Sequence, residues 1–172
     1  EPDLIEYILV KFKYEDQYVV PTATLRPETI FGVTNLWINP DIKYVIAQVN
    51  NEKWIITKEA ARKMEFLNAS VTLISEINGS DLIGKSVFDE KRKQQIPIFP
   101  ASFVDPNNGT GIVMSVPAHA PYDYQALIDL RKDGKTLSKY NINANVVPLK
   151  IIQTDAFPSN ESSPAEIIVT RC

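Results

Sequence analysis

The sequence predicts an α+β protein with a mixed or antiparallel β-barrel core and peripheral helices. Strand-like segments are short and numerous, whereas only two or three segments have the spacing of a helix. Strands and helices do not alternate regularly, which argues against a parallel α/β sheet. With 172 residues and 44% hydrophobic content, the chain fits one domain, residues 1–172, with a substantial core.

The N-terminal part predicts a hairpin followed by a helical turn. Hydrophobic residues alternate over residues 5–14, and residues 18–24 return as a second strand after a polar turn. Pro27 suits the first position of a helix and Gly32 suits its end. We therefore predict one helical turn between them and then a strand at residues 35–38.

The middle of the chain predicts a second hairpin, a helix and two strands. Residues 44–49 and 53–57 flank the turn-forming pair Asn-Asn. Residues 58–67 have the spacing of an amphipathic helix. Strands are predicted at residues 71–77 and 96–103.

The C-terminal part predicts a strand at residues 111–116 and a well-defined helix at residues 121–132. Asp133 and Gly134 should end that helix. Two further strands are predicted at residues 146–149 and 151–153.

Charge and composition exclude several classes of function. The net charge is -3 and the basic residues are scattered, so the domain alone should bind nucleic acid weakly. The short run of Lys91, Arg92 and Lys93 is predicted to be a solvated loop. The single cysteine, Cys172, and the single histidine, His119, cannot form a disulfide, a zinc site or a Cys/His pair with any other cysteine or histidine in this chain.

No apolar run approaches the roughly 20 residues that span a bilayer, so we predict no membrane partner. The acidic start and the abrupt end suggest a domain excised from a longer, cytoplasmic protein.

The first functional candidate is TATLRPETIFG, residues 22–32. Thr22, Thr24, Arg26 and Thr29 stand where the second strand ends. Threonine is common in strands and turns for local reasons, but its stiff side chain also suits a wall that hydrogen-bonds one group and excludes another. Arg26 can hold a phosphate or ribose edge through its forked donors.

The second candidate is GTGIVMSVPAHAPYDY, residues 109–124. Asp123 falls in the first turn of the predicted helix, where the helix dipole favours an ionised carboxylate. It is either an ordinary helix-start acid, which its position alone favours, or an anion that awaits a ligand ammonium. His119 is predicted to cap the helix or fill the barrel wall rather than to act as a base.

The segments TATLRPETIFGVTNLWINPD and GTGIVMSVPAHAPYDYQAL together resemble the signature segments of the editing domain inserted in class I aminoacyl-tRNA synthetases. The resemblance is specifically to leucyl-tRNA synthetases of the archaeal and eukaryotic type. Valyl-type domains share RPET but typically carry a second threonine where Leu25 stands, so they come second. Isoleucyl-type domains lack the arginine.

The resemblance implies a role for each matching residue. Asp123 corresponds to the aspartate that binds the α-ammonium of the misattached amino acid. Thr29 corresponds to the threonine that blocks leucine while admitting isoleucine, valine or norvaline. Thr24, Arg26 and Asp123 are the implied catalytic residues. The implied substrate-binding set is Thr22, Thr24, Leu25, Arg26, Thr29, Val116, His119 and Asp123.

The implied reaction is hydrolysis of the ester that joins a wrong amino acid to tRNA(Leu), without a metal or a cofactor. Such an ester is already activated, so positioning a water and stabilising the oxyanion can suffice. The implied partners are the 3′ end of the mischarged tRNA(Leu) and the rest of the synthetase polypeptide, the isolated domain being a monomer. The alternatives are a valyl-type editing domain and a non-catalytic barrel that binds an amine.

Overall fold

The computed structural model describes residues 7–67 and 69–151, and within these ranges the fold is a nine-stranded sheet with short helices. The strands are β1 (Ile8–Tyr14), β2 (Tyr18–Thr24), β3 (Asn35–Ile38), β4 (Lys43–Val49), β5 (Glu52–Ile56), β6 (Val71–Asn78), β7 (Ser86–Asp89), β8 (Gln94–Pro100) and β9 (Ile112–Ser115). The helices are a 3-10 helix (Pro27–Gly32), α1 (Lys58–Phe66), α2 (Gly79–Leu82), α3 (Pro121–Lys132) and α4 (Gly134–Tyr140). No helix within these ranges is long and apolar enough to cross a membrane.

The sheet is mixed, with the strand order β6-β4-β5-β2-β1-β7-β8-β3-β9. Most neighbouring pairs are antiparallel, and three of them are the hairpins β1–β2, β4–β5 and β7–β8. The parallel pairs are β2–β5, which joins two of the hairpins, and β3–β8, which joins β3 to the third. The predicted α+β class with a mixed sheet is therefore confirmed.

Closure of this sheet into a barrel was predicted from the many short strands, and that part of the prediction is wrong. β6 and β9 stand at the two ends of the strand order. The segment before β9 does approach β2, but through a side chain: the Thr110 hydroxyl donates to the Pro21 carbonyl at 2.7 Å. Pro21 has no N–H and cannot donate a backbone hydrogen bond. A continuous hydrogen-bond ladder between β2 and the segment before β9 therefore lacks one donor at this position.

The core lies on both faces of β3, since its alternate residues point to opposite sides. Leu36 and Ile38 are fully buried among the side chains of the main cluster, which also contains Phe12 and Val20. Trp37 points the other way and packs with a second cluster that includes residues of α3. β3 is thus fixed from two sides, which makes it a rigid support for whatever precedes it.

The largest departures from the predicted elements follow α3. Asp133 ends α3 as predicted, but its carboxylate also accepts from the Thr136 N–H at 3.1 Å and so begins α4, which was missed. The strand predicted at residues 146–149 is wrong. The Arg131 side chain donates to the carbonyls of Ala144 and Val146. These carbonyls are thus bonded to a side chain and not to a neighbouring strand.

The remaining differences between the predicted and observed elements concern short segments. The four-residue elements α2 and β7 were not predicted because such short segments carry too little periodicity. Ile151 is not in a strand, and residues 152 and 153 of the last predicted strand lie outside the described residues.

Gly111 occupies a position that only glycine fits, so we expect Gly111→Ala to lower the free energy of unfolding by about 2 kcal/mol or more. Its φ is +76°, and an added Cβ would lie 2.1 Å from the Thr57 methyl carbon. Thr57 cannot move away easily because it is buried and caps α1. Chemical denaturation followed by circular dichroism measures the loss.

The matched control is Gly134→Ala at the start of α4. No atom lies within 4 Å of an added Cβ there. That variant should be neutral or more stable by up to about 1 kcal/mol, because alanine restricts the unfolded chain. Equal losses in the two variants would contradict the steric argument.

Candidate active site

The first predicted motif forms a tight turn at the end of β2. The Arg26 N–H donates to the Thr24 hydroxyl at 3.0 Å, and the Thr29 hydroxyl donates to the Arg26 carbonyl at 2.7 Å. Pro27 opens the 3-10 helix, where its missing N–H leaves no bond unmade. The turn therefore fixes Thr24, Arg26 and Thr29 relative to one another, with Thr29 buried and Arg26 exposed.

Thr22 and Leu25 occupy opposite environments in the same motif. Thr22 is fully buried, and its hydroxyl faces the Val10 carbonyl at 3.4 Å. Leu25 is 59% exposed at the outside of the turn. Thr22 is thus part of the interior of the sheet, whereas Leu25 is accessible to a ligand. The substrate-binding roles of both residues stay predictions.

Asp123 is the buried acid of the second motif, in the first turn of α3. Only 8% of it is exposed. One carboxylate oxygen accepts from the Val116 N–H at 2.9 Å, and the other accepts from Trp37 Nε1 at 3.2 Å. Asp123 is therefore a buried, hydrogen-bonded group rather than the solvated helix-start acid that its position alone favours.

The environment of Asp123 holds two opposing influences on its charge. Burial raises the pKa of the carboxyl above its ordinary value, while the hydrogen bonds from Val116 and Trp37 act to lower it. The sequence predicted an ionised group from the helix dipole alone, without the opposing effect of burial. A cationic partner would stabilise the ionised form of this buried carboxylate by charge pairing. Asp123 is therefore suited to bind an ammonium group of a ligand.

The two motifs stand on neighbouring elements of the fold. The 3-10 helix leads into β3, and β9 leads into Val116. The Thr34 N–H donates to the Ser115 carbonyl at 3.1 Å, and Asn35 pairs with Ser115 in the β3–β9 ladder. This pairing places the start of β3 beside Ser115, the residue before Val116, whose N–H donates to Asp123.

His119 lies in a backbone turn between β9 and α3, where its N–H donates to the Val116 carbonyl at 2.9 Å. Its Nε2 accepts from the Ile151 N–H at 3.0 Å, so the ring ties a later segment of the chain to this turn. Burial lowers the pKa of His119. The predicted helix cap is wrong, because Ala120 is the N-cap of α3 and no side chain caps it. The ring has a structural partner in Ile151 instead, and its role in ligand binding stays a prediction.

We expect His119 to make the stability of the fold depend on pH. Because its folded-state pKa is depressed below 6.5, its contribution is present above that pH and is lost as the pH falls through the lowered value. The native protein should therefore lose more unfolding free energy between about pH 7.5 and pH 5.5 than His119→Gln, which keeps an acceptor but does not titrate. Denaturation at the two pH values measures this, and parallel losses would contradict it.

Several contributors to the site were missed by sequence reasoning. Trp37 falls between Leu36 and Ile38 and has the pattern of a core residue, so its hydrogen bond to Asp123 had no sequence signal. Asn35 Nδ2 and Ser115 Oγ are buried without a hydrogen-bond partner, on paired positions of β3 and β9. Both polar atoms lie where β3, which follows the first motif, pairs with β9, which belongs to the second.

The predicted solvated loop is partly wrong. Lys91 and Lys93 are exposed, but the Arg92 side chain is only 12% exposed and forms an ion pair with Asp89. The sequence pattern could not distinguish these three cations, because Asp89 precedes all of them by only a few residues and the other acceptors of Arg92, the carbonyls of Phe31 and Val33, are distant in sequence.

The surroundings of Asp123 include a cavity next to Trp37. This cavity of about 710 Å³ is lined by Phe103, Tyr122 and Asp129 among others, on a surface that does not include the Thr24 turn. In the part of the chain that the structure describes, no three His, Cys, Asp or Glu side chains are grouped so as to hold a metal ion.

The fold is that of an editing domain of an aminoacyl-tRNA synthetase. The solved structure described as GlLeuRS-CP1 superposes with a TM-score of 0.83 and 28% identity, over 96% of this chain and 77% of that chain. The Plasmodium knowlesi cytosolic leucyl-tRNA synthetase editing domain gives a TM-score of 0.82 over 97% of this chain and 76% of its own. At 17% identity, that second likeness supports the fold alone.

The sequence specifies the family. The model for the leucyl-tRNA synthetase editing domain matches residues 6–146. Leucine–tRNA ligases from Archaeoglobus fulgidus and Methanothrix thermoacetophila are 45% and 48% identical over 98% and 94% of this chain, respectively. The chain therefore belongs to the leucyl-tRNA synthetase editing-domain family, which confirms the resemblance and its preference over the valyl type. It spans only 18% and 17% of the length of these two relatives.

Proposed function

We propose that this chain is the editing domain of a leucyl-tRNA synthetase and hydrolyses the ester between a wrong amino acid and tRNA(Leu). The observation that carries the proposal is the buried Asp123 carboxylate, which accepts hydrogen bonds from the Val116 N–H and from Trp37 Nε1. Family membership supports the reaction type. Isoleucyl, valyl and norvalyl esters are the proposed substrates.

In this proposal each motif recognises a different part of the substrate. Asp123 pairs with the α-ammonium, which distinguishes an aminoacyl ester from other esters. Thr24 and Arg26 orient the ester and the terminal ribose, with Arg26 exposed where a phosphate or a ribose edge could reach it. Thr29, buried at the inner side of the turn, excludes the leucine side chain. Val116 and His119 form the opposite wall, with Leu25 at the rim.

No nucleophilic side chain is needed, because the ester is already activated. A bound water attacks the carbonyl carbon, and backbone N–H groups stabilise the oxyanion. The vicinal ribose hydroxyl of the tRNA helps to move the proton to the leaving oxygen. The protein supplies orientation and charge, without a metal or a cofactor.

The physical need for this reaction lies in the synthetic site of the enzyme. A pocket can separate side chains that differ by one methylene by only about 1 to 3 kcal/mol, so a second site must remove the errors. The proposed partners are the rest of the synthetase polypeptide in the cytoplasm and the 3′ end of mischarged tRNA(Leu). The isolated domain, residues 1–172, is proposed to be monomeric.

Single-turnover deacylation tests the proposal, with the full-length protein in excess over isoleucyl-tRNA(Leu) or leucyl-tRNA(Leu). We expect rapid release of isoleucine and retention of leucine, after subtraction of spontaneous hydrolysis. An enzyme that charges tRNA with leucine but removes neither amino acid would contradict the proposal. If it then still bound an amine at Asp123, the chain would be a non-catalytic binding module.

A further inference from the structure

A buried ion pair lies next to the Thr29 turn, outside the residues that the proposed mechanism uses. In the β7–β8 hairpin, Arg92 Nε lies 2.6 Å from an Asp89 carboxylate oxygen. The side chains of Arg92 and Asp89 are only 12% and 2% exposed. The other Asp89 oxygen accepts from the N–H groups of Lys91 and Arg92. The hairpin turn therefore fixes the carboxylate, and the carboxylate fixes the guanidinium.

The guanidinium also binds the backbone at the end of the 3-10 helix. Arg92 Nη1 donates to the Val33 carbonyl at 2.9 Å and to the Phe31 carbonyl at 3.2 Å. Carbonyls at the end of a helix lack partners within the helix and carry partial negative charge, so a cation is favourable there. These contacts link β7 and β8 to the segment that carries Thr29.

The 3-10 helix is also held by its contacts with β1 and by burial of Thr29, Ile30 and Gly32. Ile30 is its one large side chain in the main core, while Phe31 is 55% exposed. A 3-10 helix of this length has poorer hydrogen-bond geometry than an α-helix and holds its position weakly alone. The contacts from Arg92 thus add a polar tether at the C-terminal end of this turn.

We propose that Arg92, oriented by Asp89, is a positioning residue that sets the depth of Thr29 in the editing site and thereby enforces the exclusion of leucine. This inference rests on the proposed function. Arginine is required because its planar fork reaches the carboxylate and two carbonyls at once, which a single lysine ammonium cannot do. Lys91, on the same hairpin, is exposed and has no such role.

The test measures hydrolysis of leucyl- and isoleucyl-tRNA(Leu) by the full-length protein and by Arg92→Ala, Arg92→Lys and Lys91→Ala. A shift of about 1 Å in a positioning group can cost as much as 100-fold, so we expect the leucyl-to-isoleucyl rate ratio to rise about tenfold in both Arg92 variants. Arg92→Lys keeps a cation beside Asp89, which protects the fold if Arg92→Ala is unstable. Lys91→Ala removes the same charge and should retain the native ratio.

A double variant with Thr29→Ala gives the second readout. If Arg92 acts through Thr29, adding Arg92→Lys to Thr29→Ala should raise the ratio no further. An equal loss for both esters in the Arg92 variants would indicate a purely structural role and overturn the inference while the proposed function stands. A native protein that hydrolyses neither ester would overturn both.

Discussion

Asp123→Asn is expected to lower the rate of isoleucyl-tRNA(Leu) deacylation by about 100-fold or more while the protein remains folded. Removing one partner of a buried charge pair costs about 2 to 5 kcal/mol, and each 1.4 kcal/mol is a factor of ten. The carboxylate is 8% exposed, so a bound ammonium would have little water to replace the lost charge. Single-turnover deacylation measures the loss.

The same substitution should lower stability only moderately. Asparagine retains one acceptor for the two donors, Val116 N–H and Trp37 Nε1, so one buried donor is left without an acceptor, which costs about 1 to 3 kcal/mol. Removal of a charge that burial disfavours offsets part of this cost. Full activity in a folded Asp123→Asn protein would exclude a charge-based role for the residue.

Thr29→Ala is expected to extend hydrolysis to correctly charged leucyl-tRNA(Leu). The side chain is buried on the inner side of the 3-10 helix, and its truncation leaves room for the extra bulk of leucine. One methylene is worth about 10- to 200-fold in selectivity, so the leucyl-to-isoleucyl rate ratio should rise within that range. Deacylation of both esters under identical conditions gives the ratio.

Thr29→Val is the matched control for this prediction. Both variants lose the hydroxyl that donates to the Arg26 carbonyl at 2.7 Å, but valine keeps the volume. Thr29→Val should therefore continue to reject the leucyl ester. If the two variants lost selectivity to the same extent, the hydroxyl and not the bulk would be the source of discrimination.

Local pattern determined the elements that were predicted well. The helix Pro121–Lys132 was predicted to the residue because a proline opens it and Asp133 with Gly134 ends it. The β1–β2 hairpin followed from simple alternation. Closure of the sheet depends instead on how Pro21 meets Thr110, 89 residues away, and no local pattern encodes that contact.

The same distinction applies to the site. Both motifs were found because each is continuous in sequence, and Thr24, Arg26 and Thr29 share one turn. The groups that hold them come from elsewhere: Trp37 reaches Asp123 across 86 residues, and Arg92 reaches Val33 across 59 residues. Sequence reasoning therefore identified the motif residues but not their supports.

The hydrogen bond between Trp37 and Asp123 gives the protein a built-in optical reporter. The chain has two tryptophans, and Trp54 donates its indole N–H to Glu52 in β5 rather than to a residue of either motif. In a Trp54→Phe background, the remaining indole would share its hydrogen-bond acceptor with any bound ammonium. Its fluorescence would then follow ligand occupancy of the Asp123 carboxylate directly, without a label on the tRNA.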